Sequence, residues 1–349
     1  MEFQIGKTKI GKNHPTFIIA ELSANHNHKY DIAVKTIKAA KKAGADAIKL
    51  QTYTADTITI DSDKKYFQIK GGTLWDGKTL HKLYQEAYTP WEWQPKLKKL
   101  ANQLGMECFS SPFDHTAVTF LEKMRVPAYK IASFEINDIP LIENVARKGK
   151  PILFSTGIAT LGEIREAVNA CKRVGNEKII LLKCTSSYPA TIDQANLLMI
   201  PDMEKRFKVL TGLSDHTSGI VAPVAATMLG AKIVEKHFIL DRKAVGGPDA
   251  EFSIEPKEFK EMVTNIRDAE KSLGKVSYAL SAKTKKNRVF ARSLFVVENV
   301  NSGEKFTNKN VRSIRPYNGL PPKFLPRVIG KRAKRNLEKG TPLSWTMIK

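Results

Sequence analysis

Eight short apolar runs in this chain each end in residues able to bind an ion or move a proton. Glu21 closes the first run, Lys49 and Gln51 the second, and Ser110 and Ser111 the third. Lys130, Ser133 and Glu135 follow the fourth, Ser155 and Thr156 the fifth, and Thr185 and Ser186 the sixth. Ser214, Asp215 and His216 end the seventh, and Glu235 and His237 the eighth. Purely structural strands would need none of these groups. His216 and His237 end consecutive runs, so their imidazoles can meet over one divalent ion. Two neutral imidazoles leave coordination positions open for water and a substrate oxygen. That suits Mn2+, with Mg2+ or Co2+ as alternatives, better than a closed structural zinc site.

Lys49 and Lys130 each sit inside an apolar run, in Ala47-Ile-Lys-Leu and Tyr129-Lys-Ile-Ala. A buried ammonium is costly without an anionic partner. Hydroxyls expected nearby, from Ser111, Ser133, Ser155 and Ser214, favour a substrate phosphate or carboxylate as that partner. The alternative is an internal salt bridge to Glu21 or Glu135. His26, just past the first run, is a further candidate to line the site, whereas His14, His28, His81 and His115 read as loop or helix residues. The chemistry described is a metal beside a basic, hydroxyl-rich anion pocket. It fits carbon–carbon bond formation on a small phosphorylated or carboxylated substrate.

The elements that would position these groups follow from the runs themselves: Phe17–Leu22, Ala47–Gln51, Met106–Ser110, Ala128–Ala132, Ile152–Ser155, Ile179–Cys184, Val209–Leu213 and Lys232–His237. Each is nearly continuous rather than alternating, as expected of parallel strands covered on both faces. Between them lie stretches of helical period such as Asp31–Ala43, Glu163–Arg173 and Pro256–Leu273, the first stopped by Gly44. Eight such βα units predict a (β/α)8 TIM barrel, which places catalytic groups at the C-terminal strand ends. No glycine-rich dinucleotide fingerprint follows the first strand, which excludes a Rossmann reading. The segment Lys70–Gly77 (KGGTLWDG) is expected to loop over one end of the barrel.

After Lys275 the pattern changes to a basic, serine-containing linker and then short strands at Ser293–Val297, Val311–Ile314 and Val328–Ile329. Val300–Thr307 and Leu337–Ser344 share the form apolar-x-x-Gly-x-x-apolar-hydroxyl, with Gly303 and Gly340 suited to turns of positive φ. The expected organisation is a barrel at 1–276, a linker at 277–288 and a small internally repeated β domain at 289–349.

The 349 residues carry 57 Lys plus Arg against 35 Asp plus Glu, a net charge of +22. That charge raises nucleic-acid binding as a rival class. The lysines are scattered along amphipathic stretches, however, and lack the interleaved aromatics that stack bases. Cys108, Cys171 and Cys184 form neither a disulfide framework nor a metal pair, as in a reducing compartment. Met1–Lys12 lacks the apolar core of a signal peptide. The longest apolar stretch, Gly219–Gly230, is too short to span a bilayer. A cytoplasmic protein bound neither to membrane nor to nucleic acid is expected.

Several runs resemble those of the sialic acid synthase family: Ala20-Glu-Leu-Ser-Ala-Asn-His26, Lys49-Leu-Gln-Thr-Tyr53, Phe109-Ser-Ser-Pro-Phe113, Lys130-Ile-Ala-Ser133, Ser155-Thr-Gly157, Cys184-Thr-Ser-Ser-Tyr-Pro189, Leu213-Ser-Asp-His216, Glu235-Lys-His-Phe238 and Gly247-Pro-Asp249. The similarity extends over essentially the whole chain, and the C-terminal piece resembles the antifreeze-like (SAF) domain of those enzymes. Lys70–Asp76, Tyr88–Trp93 and Ser155–Thr160 are most similar to the pseudaminic branch. Ser186 stands where sialic acid synthases carry Asn, so N-acetylmannosamine is a poorer fit as acceptor, while a legionaminic precursor remains an alternative.

The resemblance implies condensation of phosphoenolpyruvate with a diacetamido-trideoxyhexose, on a metal held by His216 and His237. It implies that Lys49, Lys130, Ser111, Ser133, Ser155 and Ser214 hold phosphoenolpyruvate. It assigns Glu21 and Glu135 to orienting the sugar or moving protons, and Gln51, Ser186, Tyr188 and Asp249 to sugar contacts. It also implies a homodimer in which each SAF domain covers the partner's barrel, with Arg315 reaching across.

Overall fold

A computed structural model describes residues 2–188 and 190–349; Met1 and Pro189, the last residue of the Cys184–Pro189 motif, lie outside the described residues. The chain begins with an antiparallel hairpin that the runs above do not announce, β1 (Glu2–Ile5) and β2 (Thr8–Gly11). Gly6, at φ 58°, makes its turn. Ile5 and Ile10 are fully buried in the same apolar cluster as Phe17, Ala47, Ile152 and Ile179, which stand at the starts of barrel strands. The Lys7 backbone N–H donates to Glu107 Oε1 at 2.7 Å, and Glu107 opens the third barrel strand. The hairpin therefore closes the N-terminal end of the barrel.

The eight predicted runs become β3 (Phe17–Glu21), β4 (Ala47–Thr52), β5 (Glu107–Pro112), β6 (Tyr129–Ile131), β7 (Ile152–Ser155), β8 (Ile179–Cys184), β9 (Leu210–Asp215) and β10 (Ile233–His237). They form one closed parallel barrel in which β10 returns to pair with β3. Boundaries move by one or two residues from the expected ones, and the fifth and sixth strands match as read. Helices fill the crossovers. Tyr30–Ala43 turns Ala33, Ile37 and Ala40 inward and ends at Gly44, whose φ of 100° lets its N–H cap the Ala40 and Lys41 carbonyls. Burying one such isoleucine stabilises the fold by about 1.5–3 kcal/mol. Gly212 on β9 has a packing reason to be glycine, because a Cβ there would stand 2.4 Å from the Ile233 carbonyl oxygen.

Side chains alternate along each strand. On β10, Glu235 and His237 therefore face the interior and Lys236 faces the helix layer; on β9, Ser214 faces in and Asp215 out. Register pairs Glu21 with both Lys49 and His237.

The chain divides into two compact units, Met1–Gly274 and Lys275–Lys349. The segment read as a linker carries a short helix, Ala282–Asn287, capped by the Ser281 hydroxyl. In the second unit β11 (Ser293–Val296) and β12 (Val311–Ile314) pair antiparallel. Val328–Ile329, expected as a strand, instead ends a helical turn, Leu325–Val328, because Pro326 falls in its first turn where a missing N–H costs nothing. The internal repeat is real in the pairing. Val300 bridges Leu337, its own equivalent in the second copy. Phe295–Pro342 and Arg332–Lys305 are equivalent bridges, as are Val296–Val311 and Ala333–Ile348. Gly303 and Gly340 both take positive φ, at 82° and 91°.

Candidate active site

The C-terminal strand ends converge as the parallel barrel requires. At their centre is Lys49, whose ammonium lies 2.6 Å from Glu21 Oε2 and 2.8 Å from Glu235 Oε1. Lys130 donates to Ser155 Oγ at 2.6 Å and stands 3.6 Å from the same Glu235 oxygen, which also accepts from Ser214 Oγ at 2.9 Å. The anionic partner of the interior lysines is thus supplied by the protein, partly as the internal-salt-bridge alternative had it. The carboxylates are Glu21 and Glu235 rather than Glu21 and Glu135. Burial opposes ionisation of Glu235, yet the ammonium groups of Lys130 and Lys49 hold it down at about 2. Burial lowers Lys49 to about 8 against the pull of Glu235.

Around this cluster lies a ring of hydroxyls. Ser111 Oγ is buried and has no partner among the described residues. Its neighbour Ser110 points outward to Thr52 at 2.6 Å, so only one of the two serines serves the interior. Ser133 Oγ accepts from the Gly157 N–H at 3.2 Å. A Cβ at Gly157 would come within 2.1 Å of Ser186 Oγ and 2.9 Å of Ser133 Oγ, so the glycine keeps a cradle open between them.

His216 and His237 sit at the rim with ring centroids 5.3 Å apart. The Thr185 carbonyl can only accept, so His216 donates to it from Nδ1 at 3.0 Å, which leaves Nε2 as the atom an ion would meet. Although burial opposes the charged ring, the Cys184 sulfur beside it raises the imidazole, and a bound ion would stand in place of the Nε2 proton. His237 Nδ1 is buried without a hydrogen-bond partner among the described residues, 4.0 Å from Asp249 Oδ2. Burial, then the charge on His216, push His237 well below the usual imidazole range and keep it neutral. Two imidazoles, one with an orphaned ring nitrogen, fit a divalent ion. No group of three or more His, Cys, Asp or Glu among the described residues could hold one, so water or substrate oxygens would complete the coordination. Cys184 Sγ lies 3.8 Å from His216 Nδ1; although burial opposes it, that imidazole lowers the thiol to about 6.

Above the rim opens a cavity of about 580 Å³ lined by Gln51, Glu135, Tyr188, His237 and Asp249 together with Tyr53, Trp75, Phe113 and Phe252. Gln51 Nε2 donates to Ser23 Oγ at 3.0 Å, and Ser23 in turn donates to Asp249. Tyr188 stacks on His216 at 4.6 Å and on Phe252 at 5.0 Å. Glu135 Oε2 is buried and unpartnered among the described residues, and burial raises its carboxyl to about 7. Arg315 belongs to the C-terminal unit, where it is exposed just past β12.

Two expectations are corrected. His26 does not line the site: it is fully buried, with Nε2 on Thr89 at 3.0 Å and Nδ1 accepting the His28 N–H at 3.1 Å. Glu235 carries more of the site than its strand-end position alone conveyed; its two-residue spacing from His237 is the signal. Trp75 was likewise unassigned. Its loop is organised by Asp76, which accepts from the backbone N–H groups of Gly71, Gly72 and Thr73, and the Gln68–Thr79 bridge closes its base. The indole N–H donates to the Pro248 carbonyl at 3.0 Å.

Residues 36–278 match the NeuB family and residues 291–349 the SAF domain. The chain belongs to the NeuB family. It is 48% identical over 340 residues to a pseudaminic acid synthase of Campylobacter jejuni subsp. jejuni, covering 97% of this chain and 98% of that protein. A pseudaminic acid synthase of Helicobacter pylori is 47% identical, with coverage of 95% and 97%. Among solved structures, the N-acetylneuraminic acid synthetase of Leptospira borgpetersenii serovar Hardjo-bovis, in complex with citrate, superposes with a TM-score of 0.73 at 33% identity. That match covers 82% of this chain and 95% of the other. The NeuB match begins within the helix after β3 and runs through the barrel's last helix; of the site residues it leaves out Glu21 and Ser23. Among the described residues no helix is long and apolar enough to cross a membrane.

Proposed function

We propose that this NeuB-family chain catalyses the pseudaminic acid synthase reaction. Phosphoenolpyruvate condenses with 2,4-diacetamido-2,4,6-trideoxy-L-altrose to give pseudaminic acid and phosphate. The observation that carries this reading is the pairing of His216 and His237 beside the buried cluster of Lys49, Lys130 and serine hydroxyls, in a chain nearly half identical to pseudaminic acid synthases.

Lys130 and the hydroxyls of Ser111, Ser133, Ser155 and Ser214 hold the phosphate and carboxylate of phosphoenolpyruvate, with Lys49 behind them balanced by Glu21 and Glu235. His216 and His237 would hold a divalent ion, Mn2+ with Mg2+ or Co2+ as alternatives, and that ion would supply Lewis-acid chemistry at the open-chain sugar aldehyde. Gln51, Ser186, Tyr188 and Asp249 orient the sugar so that its carbonyl carbon faces carbon 3 of phosphoenolpyruvate. Glu135, neutral below about pH 7, gives its proton to the alkoxide oxygen formed as the carbon–carbon bond closes. Glu21, ion-paired with Lys49, orients the reactants. Water then adds at carbon 2, and phosphate leaves with carbon–oxygen cleavage. The active form is a cytoplasmic homodimer in which Arg315 of each SAF domain reaches the other barrel and holds a sugar N-acetyl group.

The test is to offer the diacetamido-trideoxy-L-altrose, the legionaminic precursor and N-acetylmannosamine separately with phosphoenolpyruvate and Mn2+, and to follow released phosphate. Turnover is expected to be fastest with the first sugar; preference for either other sugar overturns the assignment of acceptor. His216→Ala and His237→Ala are each expected to abolish turnover while calorimetry still shows phosphoenolpyruvate binding.

A further inference from the structure

We propose that Lys236, on the outer face of the barrel, is a positioning residue that fixes His216 relative to His237 and so sets the geometry of the two-imidazole metal site. The proposal rests on the reading of those histidines as metal ligands.

The argument starts from where the ladder stops. The pairing of β9 with β10 runs through Leu213–Val234 and Ser214–Glu235 to Asp215–Lys236 and ends there. His237 is still held on its other side by pairing with Glu21 on β3. His216 lies one residue beyond β9. Towards β8 it is well held, since its carbonyl accepts the Ala190 N–H at 3.1 Å and its ring donates to Thr185. Towards β10 the tie past the last ladder pair is carried by the Lys236 side chain.

That side chain is fully buried, as is its partner Asp215. The ammonium bonds to the Asp215 carboxylate and reaches the Thr217 carbonyl at 2.6 Å. Asp215 Oδ1 accepts the Thr217 N–H at 3.0 Å and its hydroxyl at 2.9 Å. The residues on both sides of His216 are thus bound to each other and to the residue immediately before His237. A buried ion pair is a poor way to gain net stability, because desolvation offsets most of the attraction. An apolar pair could pack there as well, but it could not bond Thr217. Outer groups that orient metal ligands alter metal affinity by roughly 10–100-fold when removed.

The experiment compares wild type, Lys236→Met, and Lys236→Met/Asp215→Asn, the last leaving no unpaired buried charge. Thermal melting reports the fold. Mn2+ affinity of the metal-free proteins is measured by calorimetry, and the bound ion by electron paramagnetic resonance. Lys236→Met is expected to melt at lower temperature and the double variant to recover most of that loss. Both are expected to bind Mn2+ roughly 10–100-fold more weakly, with an altered resonance. A double variant that recovers its melting temperature and binds Mn2+ as tightly as wild type overturns the clamp and leaves the pair a packing device. Wild-type protein that binds no Mn2+ overturns instead the two-histidine site beneath it.

Discussion

Lys49 and Glu235 meet at 2.8 Å inside the barrel although β3 lies between their strands, and Glu21 of β3 closes the triad at 2.6 Å from the same ammonium. With Lys130 added, the floor of the pocket holds two cations and two carboxylates. It is close to neutral rather than doubly basic, so the proposed anion binding would rest more on the serine hydroxyls, with the unpartnered Ser111 Oγ foremost.

Glu235→Gln removes one of those negative charges while keeping an acceptor for Lys49 and Ser214. Phosphoenolpyruvate should then bind about tenfold more tightly at low salt, and the gain should shrink as salt screens it. Calorimetry in the absence of sugar checks this; weaker binding would mean that Glu235 holds Lys49 in the geometry the phosphate needs.

Glu135 titrates near 7 because burial disfavours its charged form. Its protonated form is favoured by folding. The fold therefore loses stability as pH rises from the ordinary carboxyl range through about 7, and so does an acid that must be protonated to act. The rate should be level below pH 7 and fall tenfold per unit above it. Glu135→Gln should abolish that limb, lower turnover by roughly 10²–10⁴, and melt higher than wild type at pH 8. An unchanged alkaline limb in the variant assigns the proton to another group.

Gly157→Ala puts a methyl group into the space between Ser133 and Ser186. Both hydroxyls must move, and phosphoenolpyruvate affinity should drop at least tenfold, with about 1–3 kcal/mol of overpacking cost to the fold. Wild-type affinity in the folded variant would show the cradle to be empty in the working enzyme.

Trp75 forms an apolar wall of the large cavity beside Tyr188, at 5.7 Å between ring centroids. Trp75→Ala should cost roughly tenfold or more in kcat/KM for the trideoxy acceptor, whose carbon 6 is a methyl group. It should cost much less for N-acetylmannosamine, which carries a hydroxyl there. Equal losses for the two sugars would remove Trp75 from acceptor discrimination.

If Arg315 serves the opposite barrel, mixing His216→Ala chains with Arg315→Ala chains should restore part of the activity that each homodimer lacks, since one barrel in each mixed dimer is then complete. Absence of complementation, with mixed dimers shown to form, argues for an Arg315 that serves its own chain or none.

The barrel was legible because strands covered on both faces must be apolar throughout, and polar groups confined to one end of such strands stand out. Ile179–Cys184 needed no adjustment for that reason. The β1–β2 hairpin escaped notice because its four-residue strands are half exposed and carry few apolar positions, chiefly Ile5 and Ile10. Val328–Ile329 looks like a strand locally, but Pro326 two residues earlier starts a helical turn. The identities of Lys49 and Lys130 were visible; which carboxylates neutralise them depends on barrel closure, which brings β10 back beside β3 and cannot be read from spacing. His26 misled for the opposite reason, since a position just past a strand end does not reveal that both ring nitrogens are already engaged by Thr89 and His28.

With Ile5 and Ile10 stoppering the base, the vessel has one opening. Residues 2–11 are therefore part of the barrel's folding unit and not a loose end: peeling them away would bare Phe17, Ala47, Ile152 and Ile179 to water, and the strands whose far tips carry the imidazoles would lose their footing.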